Sequence, residues 1–262
     1  MSDFNGKVVI ITGSSSGIGQ AAAILFAKNG ASVTIHGRSE DGLKKTMEML
    51  LEAKIPKDRI HSVRGAVTED SVLKALIEET IKKFGKIDVL INNVGIAKKE
   101  GEKNVRSMEN LDYIWNVNVK SIIHLTELAI PYLEKTKGNI INVSSAVSLK
   151  TNQMSPFYAI SKAALDHFTR NYASLLASKG IRVNSLNPGV TETAFASRHG
   201  ITQEMREKTI KLFPIPLCRW GTSEEMAEFL IFMASEKSSY LTGQCIFVEG
   251  GLLIDSPTIK FD

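Results

Sequence analysis

Lys7-Val8-Val9-Ile10-Ile11-Thr12-Gly13-Ser14-Ser15-Ser16-Gly17-Ile18-Gly19 is the stretch that decides the fold. Its first half is a continuous apolar, β-branched run, which reads as a strand buried on both faces, the kind found in parallel sheets. A glycine-rich turn follows. Ile18, Ala22, Leu25 and Phe26 then recur at helical spacing as far as Asn29, and Gly30 stands where a left-handed helix end belongs. Glycine suits a turn that needs positive φ, and it lets a phosphate approach amide N–H groups with no Cβ in the way. The helix N-terminus behind it adds free donors and a partial positive charge. Gly13, Ser15, Ser16, Gly17, Ile18 and Gly19 are therefore candidate phosphate-cradle residues, although the spacing is G-x-x-x-G-x-G rather than the commoner G-x-G-x-x-G.

Working outward, strands are expected at Ala31 to His36, Ile60 to Arg64, Ile87 to Asn92, Asn139 to Ser144, Ile181 to Leu186 and Gln244 to Val248. Helical stretches alternate with them: Ser39 to about Ala53, Glu69 to Phe84, Met108 to Thr136 with a kink or break at Pro131, and Phe157 to Lys179. Another helix starts at Thr222-Ser223-Glu224-Glu225, which has the spacing of a capping box. Strands alternating with helices over short turns predict an α/β protein. We expect one domain over residues 1–262, a doubly wound seven-stranded parallel sheet of the Rossmann type. Residues 190–216 leave the carboxyl end of a strand, where such sheets bind ligands, and are the expected substrate lid.

Composition narrows the class. The 262 residues are 43% hydrophobic and 23% charged, which excludes a disordered or fibrous chain. No apolar run approaches a membrane helix, and no signal-peptide pattern opens the chain, so a cytoplasmic protein is expected. Cys218 and Cys245 cannot make a disulfide framework, and no zinc spacing is present, so no metal is expected. The net charge of +4 is spread over helices with acidic residues between, which argues against a nucleic-acid surface.

Asn92-Asn93-Val94-Gly95 follows the fourth strand at the same sheet edge, with asparagines able to fix a loop and Gly95 permitting a close approach. Tyr158 and Lys162, four apart, share one helix face, and Ser144-Ser145 ends the preceding strand. A tyrosine, a lysine and a serine at that edge make a proton-transfer site. A free phenol titrates near ~10. A neighbouring ammonium is expected to draw that value toward neutrality.

These pieces together resemble the short-chain dehydrogenase/reductase family, from Gly6 to Gly251. The matched residues are Thr12-Gly13, Gly17, Gly19, Asn92-Asn93-Val94-Gly95, Asn118, Ser145, Tyr158, Lys162, Asn187-Pro188-Gly189 and Val248-Glu249-Gly250-Gly251. The resemblance implies hydride transfer between NADP(H) and a carbonyl or secondary alcohol. In the implied roles Tyr158 gives the proton, Lys162 holds the nicotinamide ribose and lowers the tyrosine pKa, and Ser145 binds the substrate oxygen. Asn118 places a water beside Lys162, and Pro188, Gly189, Val190 and Thr191 close over the nicotinamide. Asn93 and Gly95 complete the cofactor loop. Two departures stand out. Val94 replaces a more usual alanine, and Ala66 stands where many members have an aspartate near the adenine, leaving the backbone of Ala66 and Val67 to reach the base.

By the same alignment Gly37 occupies the strand-end position that is acidic in NAD enzymes, and Arg38 follows it, so NADP(H) is expected over NAD(H). Ser14, Ser15 or Ser39 would add donors to the 2′-phosphate. Val147, Leu149, Met154 and Phe157 suggest a lipophilic small molecule as substrate. A 3-oxoacyl-thioester reductase of fatty acid synthesis is the alternative in the same class. A non-catalytic nucleotide-sensing or scaffold protein is the alternative in another, disfavoured by the intact Asn118, Ser145, Tyr158 and Lys162. The family usually assembles through its two long helices and last strand, which implies a homo-tetramer, with a dimer second. Ile122, Leu125 and Leu128 on one helix, and Phe168, Leu175 and Leu176 on the other, are the apolar residues expected to serve it.

Overall fold

The computed structural model describes residues 3–193 and 215–254. The β-branched run forms β1 (Val8–Ile11), and the glycine turn leads into α1 (Gly17–Lys28). The chain continues through β2 (Ser32–Gly37), α2 (Glu40–Glu52), β3 (Ile60–Arg64), α3 (Asp70–Phe84) and β4 (Val89–Asn92). Next come α4 (Met108–Trp115), α5 (Ser121–Thr136), β5 (Asn139–Val143), α6 (Pro156–Leu176) and β6 (Arg182–Pro188). The described part closes with α7 (Ser223–Ala234) and β7 (Cys245–Val248).

All seven strands pair in parallel, in the order β3-β2-β1-β4-β5-β6-β7. The chain winds outward from β1 in one direction and then, from β4, in the other. The order therefore reverses between β1 and β4, the place where doubly wound sheets leave a crevice at their carboxyl edge. Side-chain alternation along β1 shows why the run had to be apolar throughout. Val9 and Ile11 pack with Phe26 of α1 and Leu230 of α7, while Ile10 packs on the other face with Leu76 of α3 and Leu125 of α5.

Local signals set most ends as the sequence predicts. Gly30 and Gly85 lie at positive φ behind their helices, and Gly180, also at positive φ, stops the short 3₁₀ extension of α6. Thr222 and Glu225 make the reciprocal capping box of α7. Of the kink or break expected at Pro131, the break is absent: the proline lies within a continuous α5. The interruption comes earlier, as a wider i→i+5 turn at Asn116–Lys120 between α4 and α5. Such turns often sit at functional sites, and this one carries Asn118.

Of the expected lid, residues 194–214 lie outside the described residues. Its two ends are packed: Val190 and Ile215 join a small cluster with Ala146, Trp220 and Leu252, and Thr191 bridges to Gly221.

Candidate active site at the switch point

Thr12 and Asn93 join the two strands that flank the crevice. The Thr12 hydroxyl accepts from the backbone N–H groups of Asn93 (2.9 Å) and Val94 (3.2 Å), and Asn93 Nδ2 donates back to the carbonyls of Thr12 (2.9 Å) and Gly13 (3.1 Å). Helix α1 starts hard against this clip. A Cβ on Gly19 would lie 2.5 Å from Asn93 Nδ2 and 2.6 Å from the Gly13 carbonyl. Gly13 itself turns at φ +68 and Gly17 at +59. Ser16 caps α1 through its backbone alone, with no side-chain cap hydrogen bond. The segment after β6 passes close by, since a Cβ on Gly17 would touch Thr193 at 3.1 Å.

Two of the serines expected to face a phosphate differ sharply. Ser14 is fully buried; its hydroxyl donates to the Ile11 carbonyl (2.9 Å) and accepts from the His36 N–H (2.8 Å), so it is excluded as a phosphate donor. Ser15 is half-buried and presses on Gly37, where a Cβ would meet its Oγ at 2.7 Å. Gly37 is therefore more than the lack of a carboxylate, because its bare Cα makes room for the turn. Arg38 is exposed at the end of β2. Nearby Arg64 is already paired with Glu40 (2.6 Å), and Ser39 caps α2 by accepting from the Gly42 N–H (3.1 Å). Ala66 is half-buried and Val67 buried.

His36 is a functional candidate the sequence reading missed. It is buried in β2, its Nδ1 lies 3.3 Å from the Gly13 N–H, and its Nε2 lies 3.1 Å from the Gly65 carbonyl. Burial lowers its pKa to about 4, opposed by the Gly65 bond. An unfolded histidine titrates near 6.5, so between these values the unfolded chain binds more protons than the folded one, and stability rises with pH. His36 should cost the fold on the order of 3 kcal/mol as pH falls from about 6.5 to 4. Urea titrations across that window check this; a His36→Asn variant with the same slope as the parent would refute it.

Around the proton-transfer residues the polar groups interlock. Lys162 is buried and donates from Nζ to the Val143 carbonyl (2.7 Å) at the end of β5, with its ammonium 5.7 Å from the Tyr158 ring centre. Tyr158 is half-buried and hydrogen-bonds Ser145. Gly95 lets β4's loop close on this pair, since a Cβ there would sit 3.2 Å from Lys162 Nζ. Burial pushes the Tyr158 phenol up to about 12, with the Ser145 bond opposing, and burial draws Lys162 down to about 8, with Asp166 opposing. The expected lowering of the tyrosine pKa by Lys162 is thus overturned in this state. Desolvation of the phenol dominates, with the Ser145 hydrogen bond opposing it.

Asn118 has a structural part as well. Its side chain is fully buried, donates to the Ile96 carbonyl (2.9 Å) and Ser161 Oγ (3.0 Å), and accepts from the Ile96 N–H (2.9 Å). Both amide protons are in use, so the side chain pins the β4 loop to α6, and a water could reach it only by donating to Oδ1 or to the backbone carbonyl. Asn187 does the comparable task for Ser145. Its Nδ2, with two protons to give, lies within hydrogen-bond distance of both oxygens of buried Asp166 (3.0 and 2.8 Å), Ser148 Oγ (3.0 Å) and the Ser145 carbonyl (3.3 Å). Pro188 ends β6, and Gly189 passes so close to Glu249 that a Cβ would lie 2.6 Å from its Cα. Among the described residues no group of His, Cys, Asp and Glu could hold a metal ion, and no helix is long and apolar enough to cross a membrane.

Fold and site together define an oxidoreductase of the doubly wound α/β class. Residues 13–253 match the family described as enoyl-(acyl carrier protein) reductase. The chain is 38% identical over 250 residues to a 3-oxoacyl-[acyl-carrier-protein] reductase of Thermotoga maritima, covering 95% of this chain and 98% of the relative. A solved short-chain dehydrogenase/reductase of unknown function from Caenorhabditis elegans, with cofactor, is 38% identical at a TM-score of 0.90, covering 95% of this chain and 96% of that one. L-sorbose reductase from Gluconobacter frateurii, solved with NADPH and L-sorbose, is 29% identical at a TM-score of 0.86, covering 98% and 100%. The protein belongs to the short-chain dehydrogenase/reductase family.

Proposed function

We propose that this oxidoreductase transfers hydride between NADP(H) and the carbonyl or secondary alcohol of a lipophilic small molecule. The observation that carries the reading is the convergence of Tyr158, Lys162 and Ser145 below a glycine turn at the switch point. The cofactor fits on physical grounds. Gly13, Gly17 and Gly95 let the turn, the Thr193 segment and the β4 loop pack closely around the crevice, and Ser16 makes no side-chain cap hydrogen bond at the start of α1. Gly13, Ser15, Ser16, Gly17, Ile18 and Gly19 would hold the pyrophosphate, Asn93, Gly95, Pro188, Gly189, Val190 and Thr191 the nicotinamide half, Ala66 and Val67 the adenine, and Arg38 the 2′-phosphate. When bound, the cofactor supplies the hydride.

The chain's own residues manage the proton. A phenol held near 12 stays protonated at neutral pH and is poised to donate to a substrate oxygen. Ser145 donates to the same oxygen and stabilises charge as it develops. Lys162 would hold ribose hydroxyls; tethered to Val143, it keeps one donor committed and two free. Asn118 and Asn187 are positioning residues, acting through the β4 loop and through the Ser145 loop.

Leu149 and Met154 beside the site are 65% and 72% exposed, so they do not merely pack on one another and are open to an apolar substrate. A second reading, reduction of a 3-oxoacyl thioester, is favoured by the likeness to the Thermotoga maritima reductase. Purified protein with NADPH and a panel of lipophilic ketones, diketones, quinones, sugars and acyl thioesters separates the two. Thioester turnover far above all others would favour the second, and no turnover of any carbonyl would remove both.

We further propose a homo-tetramer. The residues first expected to drive it do not: Ile122, Leu125, Phe168 and Leu176 are buried in the chain's own core, and Leu175 alone of that set is exposed, at 61%. Instead Trp115 of α4 and Ile160 of α6 are exposed on one pair of helices, and Phe229 and Phe232 are exposed on α7. Two separate apolar faces suit two kinds of two-fold contact, hence four copies. Light scattering at micromolar concentration should give four times 28.7 kDa; a monomeric mass would refute it.

A further inference from the structure

We infer that His36 is a positioning residue for the adenosine half of the dinucleotide, tying the glycine turn after β1 to the loop after β3. The inference rests on the dinucleotide reading above. His36 occupies the penultimate position of β2, the strand between the two it connects. Its buried imidazole has one partner on each side, and those partners fix its tautomer. The Gly13 N–H can only donate, so Nδ1 carries the lone pair; the Gly65 carbonyl can only accept, so Nε2 carries the proton. The main chain adds two more ties, because Ser14 N–H donates to the His36 carbonyl (2.8 Å) and the His36 N–H to Ser14 Oγ (2.8 Å).

What the imidazole holds is the point. Gly13 (φ +68) and Gly65 (φ +152) both lie at positive φ. Neither has a side chain that could lock its own torsions. The neutral ring therefore adds one tie to each, beside Asn93 Nδ2 on the Gly13 carbonyl and the Gly37 carbonyl on the Gly65 N–H, and links the two walls that flank the strand end carrying Arg38. One wall leads into the phosphate turn and the other into Ala66 and Val67. Holding both walls before a ligand arrives lowers the ordering cost of binding. The effect falls chiefly on the adenosine half, since Lys162 and Ser145 are anchored separately, by Val143 and Asn187.

The test uses two variants that each keep one bond. His36→Asn places an amide oxygen near the Nδ1 position and keeps the Gly13 bond; His36→Gln places an amide nitrogen near the Nε2 position and keeps the Gly65 bond. Calorimetry with ADP, which both NAD(H) and NADP(H) contain, should show affinity weakened about 10-fold in the poorer variant. The KM for the dinucleotide should rise by a similar factor, with kcat at saturation within about twofold of the parent. Binding of nicotinamide mononucleotide should be unchanged. A fall in thermal midpoint with ADP affinity intact in both variants would show a purely structural histidine and overturn the inference. Equal losses for ADP and nicotinamide mononucleotide would overturn it too. A parent that binds neither ADP nor the dinucleotides would instead refute the dinucleotide reading itself.

Discussion

Tyr158→Phe should lower turnover by ~10²–10⁴-fold, the range expected when a general acid is removed, while dinucleotide affinity stays within about twofold. The substitution keeps the ring that lies beside Lys162 and deletes only the hydroxyl that meets Ser145. In the parent, the phenol is protonated throughout the neutral range because burial holds it near 12. The reductive pH profile should therefore be set by Lys162, which burial brings to about 8. Below that value the ammonium is charged; above it the charge is lost, so reductive kcat/KM should fall as pH rises through about 8. A Phe variant working at near the parent rate would remove Tyr158 as the acid. A flat profile from pH 6 to 10 would remove Lys162 as the group that matters for charge.

Much of this was legible in the chain because the deciding signals are local. A β-branched run, a glycine turn and an amphipathic helix can be read in a dozen residues, and repeating that unit gives the doubly wound sheet with its switch point between β1 and β4. The capping box at Thr222 and the stop at Gly85 are equally local. What escaped depends on contacts between distant segments. His36 meets Gly65 across 29 residues, and Asn118 meets Ser161 across 43. Neither spacing leaves a pattern in one sequence. The histidine near the end of a strand that is mostly buried was the available sign that something polar lay beside β2. Pro131 misled for a different reason. Proline inside a helix removes one bond and commonly kinks it, yet here the break belongs to Asn116–Lys120, where nothing in the residue types announces a wider turn. The pKa of Tyr158 shows the limit of reading pairs by spacing, since Lys162 shares its face but burial of the phenol, which no spacing reports, decides the direction.

The cofactor's phosphate is the second large expectation, and packing around Gly37 determines how it must be tested. NADPH should be preferred over NADH by at least ~10-fold in kcat/KM, because a charge-assisted hydrogen bond from Arg38 contributes roughly 1.5–3 kcal/mol. Arg38 stands exposed at the strand end, and its neighbour Arg64 is held by Glu40 and so is a poorer competitor for the phosphate. Arg38→Leu alone should bring the two cofactors to near parity, by removing the guanidinium without adding anything that favours a ribose hydroxyl. Reversal needs a carboxylate at position 37, to accept from the 2′- and 3′-hydroxyls and repel the phosphate. Gly37→Asp by itself would drive a Cβ to 2.7 Å from Ser15 Oγ and 2.8 Å from Ser15 Cβ, displacing the phosphate turn. That variant should lose both cofactors alike and so report nothing about the phosphate. Adding Ser15→Gly empties the contested space, and the triple variant Ser15→Gly, Gly37→Asp, Arg38→Leu should prefer NADH by ~10-fold, a swing of about 10² in the ratio. Steady-state kinetics with both cofactors at low salt provide the check. Equal use of NADH and NADPH by the parent would show that Arg38 does not read the phosphate. A Gly37→Asp variant as active as the parent would show that Ser15 gives way freely.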